Sequence, residues 1–381
     1  MHIDELLHAA VTAGASDLHV KVGSYPMMRV NGVLMVASED KRLERGDTEA
    51  MIDVILSREQ REKFKAVQEV DLAYSVQGLG RFRCNVFQQR GTVGIVLRVI
   101  PFGVKTIDEL GLPPVLKRIA SEERGLVLVT GTTGSGKTTT LAAMIDHINA
   151  TRGAHIMTIE DPIEYLHRDH HSIVNQREIA VDTHSFSHAL RSALRQDPDV
   201  ILVGEMRDHE TVETALLAAE TGHLVFSTLH TLDATETVNR IISVFPPHQQ
   251  RQVRLQLSSV LKGAISQRLM PRADGLGRVP AIEVMVTTSF IRDCIVDKDK
   301  TALIHGAIAS GTSQYGMQTF DQSIFSLYQQ GFVTLEEALR WASNVDEFKM
   351  RVQGISTTAD MARDQMAHKV TGTSDITRFG D

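Results

Sequence analysis

Two kinds of hydrophobic pattern divide the chain. Over residues 1 to 100 apolar and polar positions alternate in short runs, as in half-buried strands. Leu18, Val20 and Val22 alternate within 17–22, and further strand-like runs cover 71–76, 81–87 and 94–100. An amphipathic helix carrying Leu6, Leu7, Ala10 and Val11 precedes them. The run 28–35 contains Asn31-Gly32, a strong hairpin signal because both central residues of such a turn need positive φ. Ser57-Arg-Glu-Gln60 reads as a capping box opening a helix to about residue 67. After Pro101 and Gly111-Leu-Pro-Pro114 the pattern changes. Continuous apolar runs at 125–129, 155–159, 199–203 and 224–228 now alternate with helical stretches, the signature of a parallel sheet covered on both faces. Val212, Ala215, Leu216 and Ala219 mark one such helix, which Gly222 closes. From about Arg251 the chain reads as mostly helical, and 351–381 as a flexible tail.

Composition narrows the class. The chain has 381 residues, a length for two domains or one large α/β domain with an attachment, and its 42% hydrophobic content is enough for at least one full core. Lys plus Arg total 40 against 47 Asp plus Glu, a net charge of −7 that disfavours a general nucleic-acid surface. Only Cys84 and Cys294 are present, so neither a disulfide framework nor a zinc ribbon is expected. The first residues are acidic where a signal peptide would be basic, and no apolar run nears the roughly 20 residues of a membrane span. A cytoplasmic protein is expected.

The chemistry sits after the first buried run. Gly131-Thr132-Thr133-Gly134-Ser135-Gly136-Lys137-Thr138 fits the full P-loop pattern, with a strand before it and a helix (Leu141, Met144, Ile145, Ile148) after it. Glycines there let successive N–H groups face a phosphate, and the helix N-terminus adds its dipole. Lys137 is expected at the β- and γ-phosphates, Thr138 on Mg²⁺, and Thr139 beside them. No Asn-Lys-x-Asp guanine reader is present, which favours ATP over GTP. Hydrolysis also needs a carboxylate to orient or activate water. Gly204 stands where a Walker B strand usually carries Asp, leaving Glu205 at the strand end. Glu160-Asp-Pro-Ile-Glu164 closes another strand on the same edge, and His230 a third, where it could sense the γ-phosphate. Alternation puts Arg81, Arg83 and Asn85 on one face of their strand and Phe82, Cys84 and Val86 on the other.

Thr158-Ile-Glu-Asp-Pro-Ile-Glu164, Gly204-Glu-Met-Arg-Asp208 and Ala219-Glu-Thr-Gly-His-Leu-Val-Phe-Ser-Thr-Leu-His230 together resemble the type II/IV secretion ATPases. Within them the chain resembles the type IV pilus retraction ATPases, the PilT/PilU family, from Ala15-Ser-Asp-Leu-His19 to about residue 350. That resemblance implies a PAS-like α+β domain over 1–100, a linker over 101–114, and a RecA-like P-loop ATPase domain with a helical C-terminal part over 115–350. It implies a homohexameric ring at the cytoplasmic face of the pilus machine, with an inner-membrane platform protein and a paralogous retraction ATPase as partners. It makes Glu164 the catalytic base, Glu205 an atypical Walker B residue reaching Mg²⁺ through water, and His223 with His230 the His box. Arg81 and Arg83 match arginines that reach a neighbouring subunit's nucleotide, with Arg98 a weaker candidate. The cofactors are ATP and Mg²⁺, and the work is pilus disassembly.

The chain lacks the tetracysteine element and longer N-terminal region of extension and type II secretion ATPases. It also departs from the retraction motif Ala-Ile-Arg-Asn-Leu-Ile-Arg-Glu. Phe290-Ile-Arg-Asp-Cys-Ile-Val-Asp297 keeps only Ile291, Arg292 and Ile295, which brings in an accessory, PilU-like role as an alternative. The rival readings are a RecA-like nucleic-acid motor, which should show a basic channel, and a nucleotide-gated scaffold with negligible turnover. His167, His170 and His171 lack the spacing of a metal site and read as an ordinary polar loop.

Overall fold

The computed structural model describes residues 2–30, 32–100 and 103–354, which divide into two compact units. The first is Met1–Gly103 together with Glu164–His167; the second is Val104–Ile163 with the chain from Arg168 onward. Asn31, Pro101, Phe102 and nearly all of the expected tail lie outside the described residues.

The first unit is a six-stranded antiparallel sheet with three helices. Its elements are α1 (Ile3–Thr12), β1 (Asp17–Lys21), β2 (Met27–Val30), β3 (Val33–Val36), α2 (Arg45–Ile55), α3 (Arg58–Val67), β4 (Glu69–Val76), β5 (Gly80–Gln89) and β6 (Thr92–Ile100). The strand order is β3-β2-β1-β6-β5-β4. Val30 pairs with Val33, so Gly32, at φ 82°, stands in a two-residue turn. Ser57 caps α3, its hydroxyl accepting from Gln60 N while the Gln60 side chain accepts from Ser57 N. Ile3, Leu6 and Leu7 of α1 join Leu18, Phe82, Cys84, Val86, Ile95 and Leu97 in one core.

The second unit is a seven-stranded sheet between helical layers. Helix α4 (Val115–Ala120) leads to β7 (Gly125–Thr130), α5 (Lys137–Thr151), β8 (His155–Glu160), β9 (Ile173–Glu178), α6 (Phe186–Ala193), β10 (Val200–Val203), α7 (His209–Glu220) and β11 (Leu224–Leu229). Then follow α8 (Ala234–Ser243), α9 (Gln250–Val260), β12 (Leu261–Pro271), β13 (Arg278–Val286) and α10 (Ser289–Val296). The order is β13-β12-β7-β11-β10-β8-β9, parallel except for β13 against β12. Leu126 and Leu128 face one core with α7, α8 and α9, while Val127 and Val129 face the other with α5. Burial on both faces explains the unbroken apolar runs.

Beyond Arg251 the described chain is mostly helical, as expected, but two strands that the sequence reading did not resolve interrupt it. After α9 the chain forms β12 and β13, which extend the central sheet. The omission has a physical cause: Leu261 to Ser266 is buried apart from a half-buried Lys262, so no alternation announces a strand. Helices Phe320–Gln329, Leu335–Trp341 and Val345–Val352 then cluster Phe320, Ile324, Ala338 and Phe348 around Met270 and Ala281. The last of them carries regular structure past residue 350.

Candidate nucleotide site

Because β7, β11, β10 and β8 run parallel as neighbours, the loops after them line one edge of the sheet. That edge holds the P-loop after β7, His230 after β11, Glu205 after β10 and Glu160 at the end of β8. With strands about 4.8 Å apart, β10 lies roughly 10 Å from β7, close enough for its carboxylate to serve the same ligand.

The P-loop is held open by what surrounds it. Gly131 has φ 139°, and a Cβ there would stand 2.4 Å from the Gln267 carbonyl. Gly136 has φ 90°, and a Cβ would come within 2.7 Å of Gln267 Nε2. Both positions therefore strongly disfavour any other L residue, Gly131 by backbone contact as well as positive φ. Lys137 is buried, and its Nζ donates to the carbonyls of Gly131 at 2.8 Å and Thr132 at 3.0 Å. Ser135 Oγ is buried without a hydrogen-bond partner among the described residues. Thr138 and Thr139 occupy the first turn of α5, half-buried. Such a glycine cradle with a basic side chain and an unsatisfied hydroxyl fits a polyphosphate.

Two residues that brace this loop escaped the sequence reading. Gln267 of β12 accepts from Thr140 Oγ1 at 2.7 Å, and Thr130 Oγ1 donates to Ser266 Oγ at 3.0 Å. Arg278 of β13 donates to the Gly134 carbonyl at 3.4 Å. A cavity of about 810 Å³ opens beside them, bounded by Gly136, Thr139, Thr140, Leu269, Arg272 and Arg278 among others. These strands were not separated from the mostly helical region in sequence, so the bracing residues stayed hidden.

At the end of β10 the backbone is tightly enclosed. Gly204 N donates to the Ile159 carbonyl at 2.8 Å, and Thr228 Oγ1 donates to the Gly204 carbonyl at 2.6 Å. A Cβ at Gly204 would lie 3.2 Å from Ile159 O and 3.4 Å from a Phe186 ring carbon. Little room remains for an aspartate, which accounts for the displaced acid. Glu205 Oε2 is 2.8 Å from Arg207 Nε and 3.7 Å from His230 Nε2. Glu205 and His230 thus come close to one another, with Arg207 as a third member.

The acidic turn separates into two roles. Glu160 is buried and accepts from Thr158 Oγ1 at 2.6 Å and Gln176 Nε2 at 3.1 Å, so it is tied into the sheet. Glu164 is exposed and groups with the first unit. The two His-box residues also part company. His223 lies at the start of β11, its Nδ1 2.9 Å from the Ala218 carbonyl, and His230 follows the far end. Six strand residues put them roughly 20 Å apart, so His223 does not share the edge with His230. His167 is half-buried, and desolvation pushes its imidazole down to about 4.

In the first unit, Phe82, Cys84 and Val86 are fully buried and Arg83 is exposed. Burial pushes the Cys84 thiol up to about 12, well away from reactive values. Arg83 pairs directly with Arg98 across β5 and β6, so the two guanidinium stems share one face with Arg81. Arg98 is engaged: its Nε donates to Asp17 Oδ1 at 2.9 Å. Burial works to raise the Asp17 carboxyl, but hydrogen bonds from Ser16 and Arg98 outweigh it and hold the group below its usual range.

Comparison with known proteins places these features. The family described as Type II/IV secretion system protein matches residues 1–340. The chain belongs to that family. The type IV pilus retraction ATPase PilT of Pseudomonas aeruginosa is 48% identical over 348 residues, 91% of this chain and all of that one. The type IV pilus ATPase PilU of the same organism is 42% identical over 361 residues, 94% of each chain. The crystal structure of a pilus retraction motor PilT with bound ADP superposes with a TM-score of 0.84 at 47% identity, covering 91% of this chain and 98% of that one. This secretion-family protein has the family's α/β ATPase fold. Among the described residues no helix is long and apolar enough to cross a membrane.

Proposed function

We propose that this secretion-family ATPase works as a homohexameric motor, coupling Mg-ATP hydrolysis to type IV pilus retraction. The observation that carries the enzymatic half is the cradle of Gly131, Gly136, Gln267 and Lys137 on the same edge as Glu205 and His230. The mechanical half rests on near full-length identity to retraction ATPases. Lys137 and the P-loop amides would bind the β- and γ-phosphates, and Thr138 would ligate Mg²⁺ with Glu205 acting through water. The cavity beside Thr139 and Thr140 has room for the nucleoside. Glu164 would take the proton of the attacking water, a role suited to an exposed carboxylate. His230, beside Glu205, would register the γ-phosphate.

Arg83, and Arg81 on the same face, would complete the site of a neighbouring copy. Arg98 is less suited because Asp17 already holds it. The paralogue and the inner-membrane platform protein remain the partners this reading calls for, at the cytoplasmic face of the membrane. An accessory role is compatible with helix α10: of the three retained motif positions, Ile291 and Ile295 are buried packing residues and only Arg292 is exposed. Steady-state Mg-ATP turnover per subunit, measured over a wide concentration range without nucleic acid, tests the assembly claim. Specific activity should rise steeply and then level off. Flat activity in a protein shown to have become monomeric would end the trans mechanism.

A further inference from the structure

A second polar pocket lies at the far edge of the seven-stranded sheet, away from the P-loop strand. It encloses about 260 Å³ and is lined by Arg177, Ala180, Asp182, Thr183, His184 and His188, with Val181 at its side. Arg177, the penultimate residue of β9, has one arm committed: Nη2 donates to the Asp182 carbonyl at 2.9 Å. The other arm, Nη1, is buried with no hydrogen-bond partner among the described residues. Thr183 is 7% exposed, and its Oγ1 is likewise buried and unpartnered. Two buried polar groups left unsatisfied in one small pocket are unusual, since each costs about 1–3 kcal/mol of desolvation.

The rest of the pocket is rigidly set. Ala180 takes φ 64° and its N donates to the Thr183 carbonyl at 2.8 Å, closing the loop on itself. Asp182 Oδ2 accepts from Glu178 N at 2.8 Å, so one carboxylate oxygen is used within the loop. The rings of His184 and His188 stand edge to face, 6.0 Å between centroids. Among the described residues no group of three or more His, Cys, Asp or Glu side chains is arranged to hold a metal ion. The unmet demand is instead for an acceptor. Arg177 offers a guanidinium N–H, Thr183 an O–H, and the two imidazoles can each offer an N–H.

We propose that this pocket binds an oxyanion, a phosphate-like or carboxylate group held by Arg177 and Thr183 and flanked by His184 and His188. At about 30 Å³ per water, the cavity has room for a tetrahedral oxyanion or a carboxylate-bearing side chain. Its place gives it a consequence. Glu178, next to Arg177, accepts from Ile163 N at 3.2 Å and stands in register with Glu160, so an occupant braces the loop that supports the acidic turn. The proposal is separate from the pilus reading and does not depend on it.

The test uses the full chain with Mg²⁺ and a non-hydrolysable ATP analogue saturating the P-loop, so that phosphate cannot bind there. Inorganic phosphate is titrated calorimetrically at constant ionic strength, and self-association is followed on dilution. Variants are Arg177→Gln and the near-isosteric Thr183→Val. A free oxyanion site gives saturable binding, one phosphate per chain, weakened about tenfold or more in both variants. If phosphate does not bind but both variants raise the concentration for half-assembly about tenfold or more, the oxyanion is a carboxylate of a neighbouring copy. If phosphate binding and assembly match the unsubstituted protein in both variants, or neither process involves the pocket, the proposal is overturned. Should Arg177→Gln fold poorly, Thr183→Val decides by the same criteria, because it keeps the shape of the loop.

Discussion

In the six-stranded sheet Phe82, Cys84 and Val86 point into the core while Arg83 points out; in the seven-stranded sheet all six residues of β7 are buried. The first arrangement displays side chains across a face, and the second leaves only strand ends for chemistry. A face can be presented to another molecule, whereas a strand end gathers groups from neighbouring loops into one site. The two units accordingly carry different parts of the proposed reaction. The strand ends hold the P-loop, Glu205 and His230, and the open face holds Arg81, Arg83 and the engaged Arg98.

The comparison breaks first at Glu164. Glu164→Gln should lower turnover by about 10²–10⁴-fold while a fluorescent ATP analogue binds with near-normal affinity. Normal turnover in that variant would remove the proposed base. Next comes the face: Arg83→Ala should cost on the order of 10³-fold in turnover, with thermal stability nearly unchanged because the side chain is exposed. Arg98→Ala should show the reverse balance, losing some stability with its Asp17 partner and far less activity. Equal losses of activity from both would mean that the face acts as a diffuse charge.

A third prediction concerns the interior of the second unit. Glu283 of β13 is buried, accepts from Ala234 N at 2.8 Å, and has Asp233, Asp321 and Arg268 nearby. Burial pushes its carboxyl up to about 7 from an ordinary 4.5, the Ala234 N–H pulls it back, and Asp233 and Asp321 push it up further. The folded protein therefore keeps this proton to higher pH than the unfolded chain does. Its contribution is full below about pH 4.5, declines as pH rises through 7, and stays lost above that. In urea unfolding, Glu283→Gln should abolish that slope and gain roughly 3 kcal/mol over the parent above pH 7. A variant that keeps the slope would place the titrating group elsewhere. The smallest effect is expected at Gln267→Ala, which leaves the Thr140 hydroxyl unpaired. A cost of about 1–3 kcal/mol and nucleotide binding weakened about tenfold are expected.

How much of this was legible in the sequence follows the same divide. Arg81 and Arg83 could be placed on a face because alternation is local. The P-loop could be read because its glycines and Lys137 lie within eight residues of one another. Gln267 and Arg278 could not, since they meet the P-loop region across 127 and 144 residues and sit on strands without alternation. His223 was grouped with His230 by motif, yet a whole strand separates them. The reason for Gly204 in place of an acid emerged only when Ile159, Phe186 and Thr228 were seen to enclose it.

The central claim is that one copy's Arg83 completes a site whose base is another copy's Glu164. The direct measurement mixes Glu164→Gln protein with Arg83→Ala protein under conditions where subunits exchange, and follows Mg-ATP turnover. Each variant alone should be nearly inactive, and the mixture should recover turnover at interfaces where an intact Arg83 meets an intact Glu164. If exchange is confirmed and the mixture stays at the background of its parts, the two residues do not act across copies and the account fails.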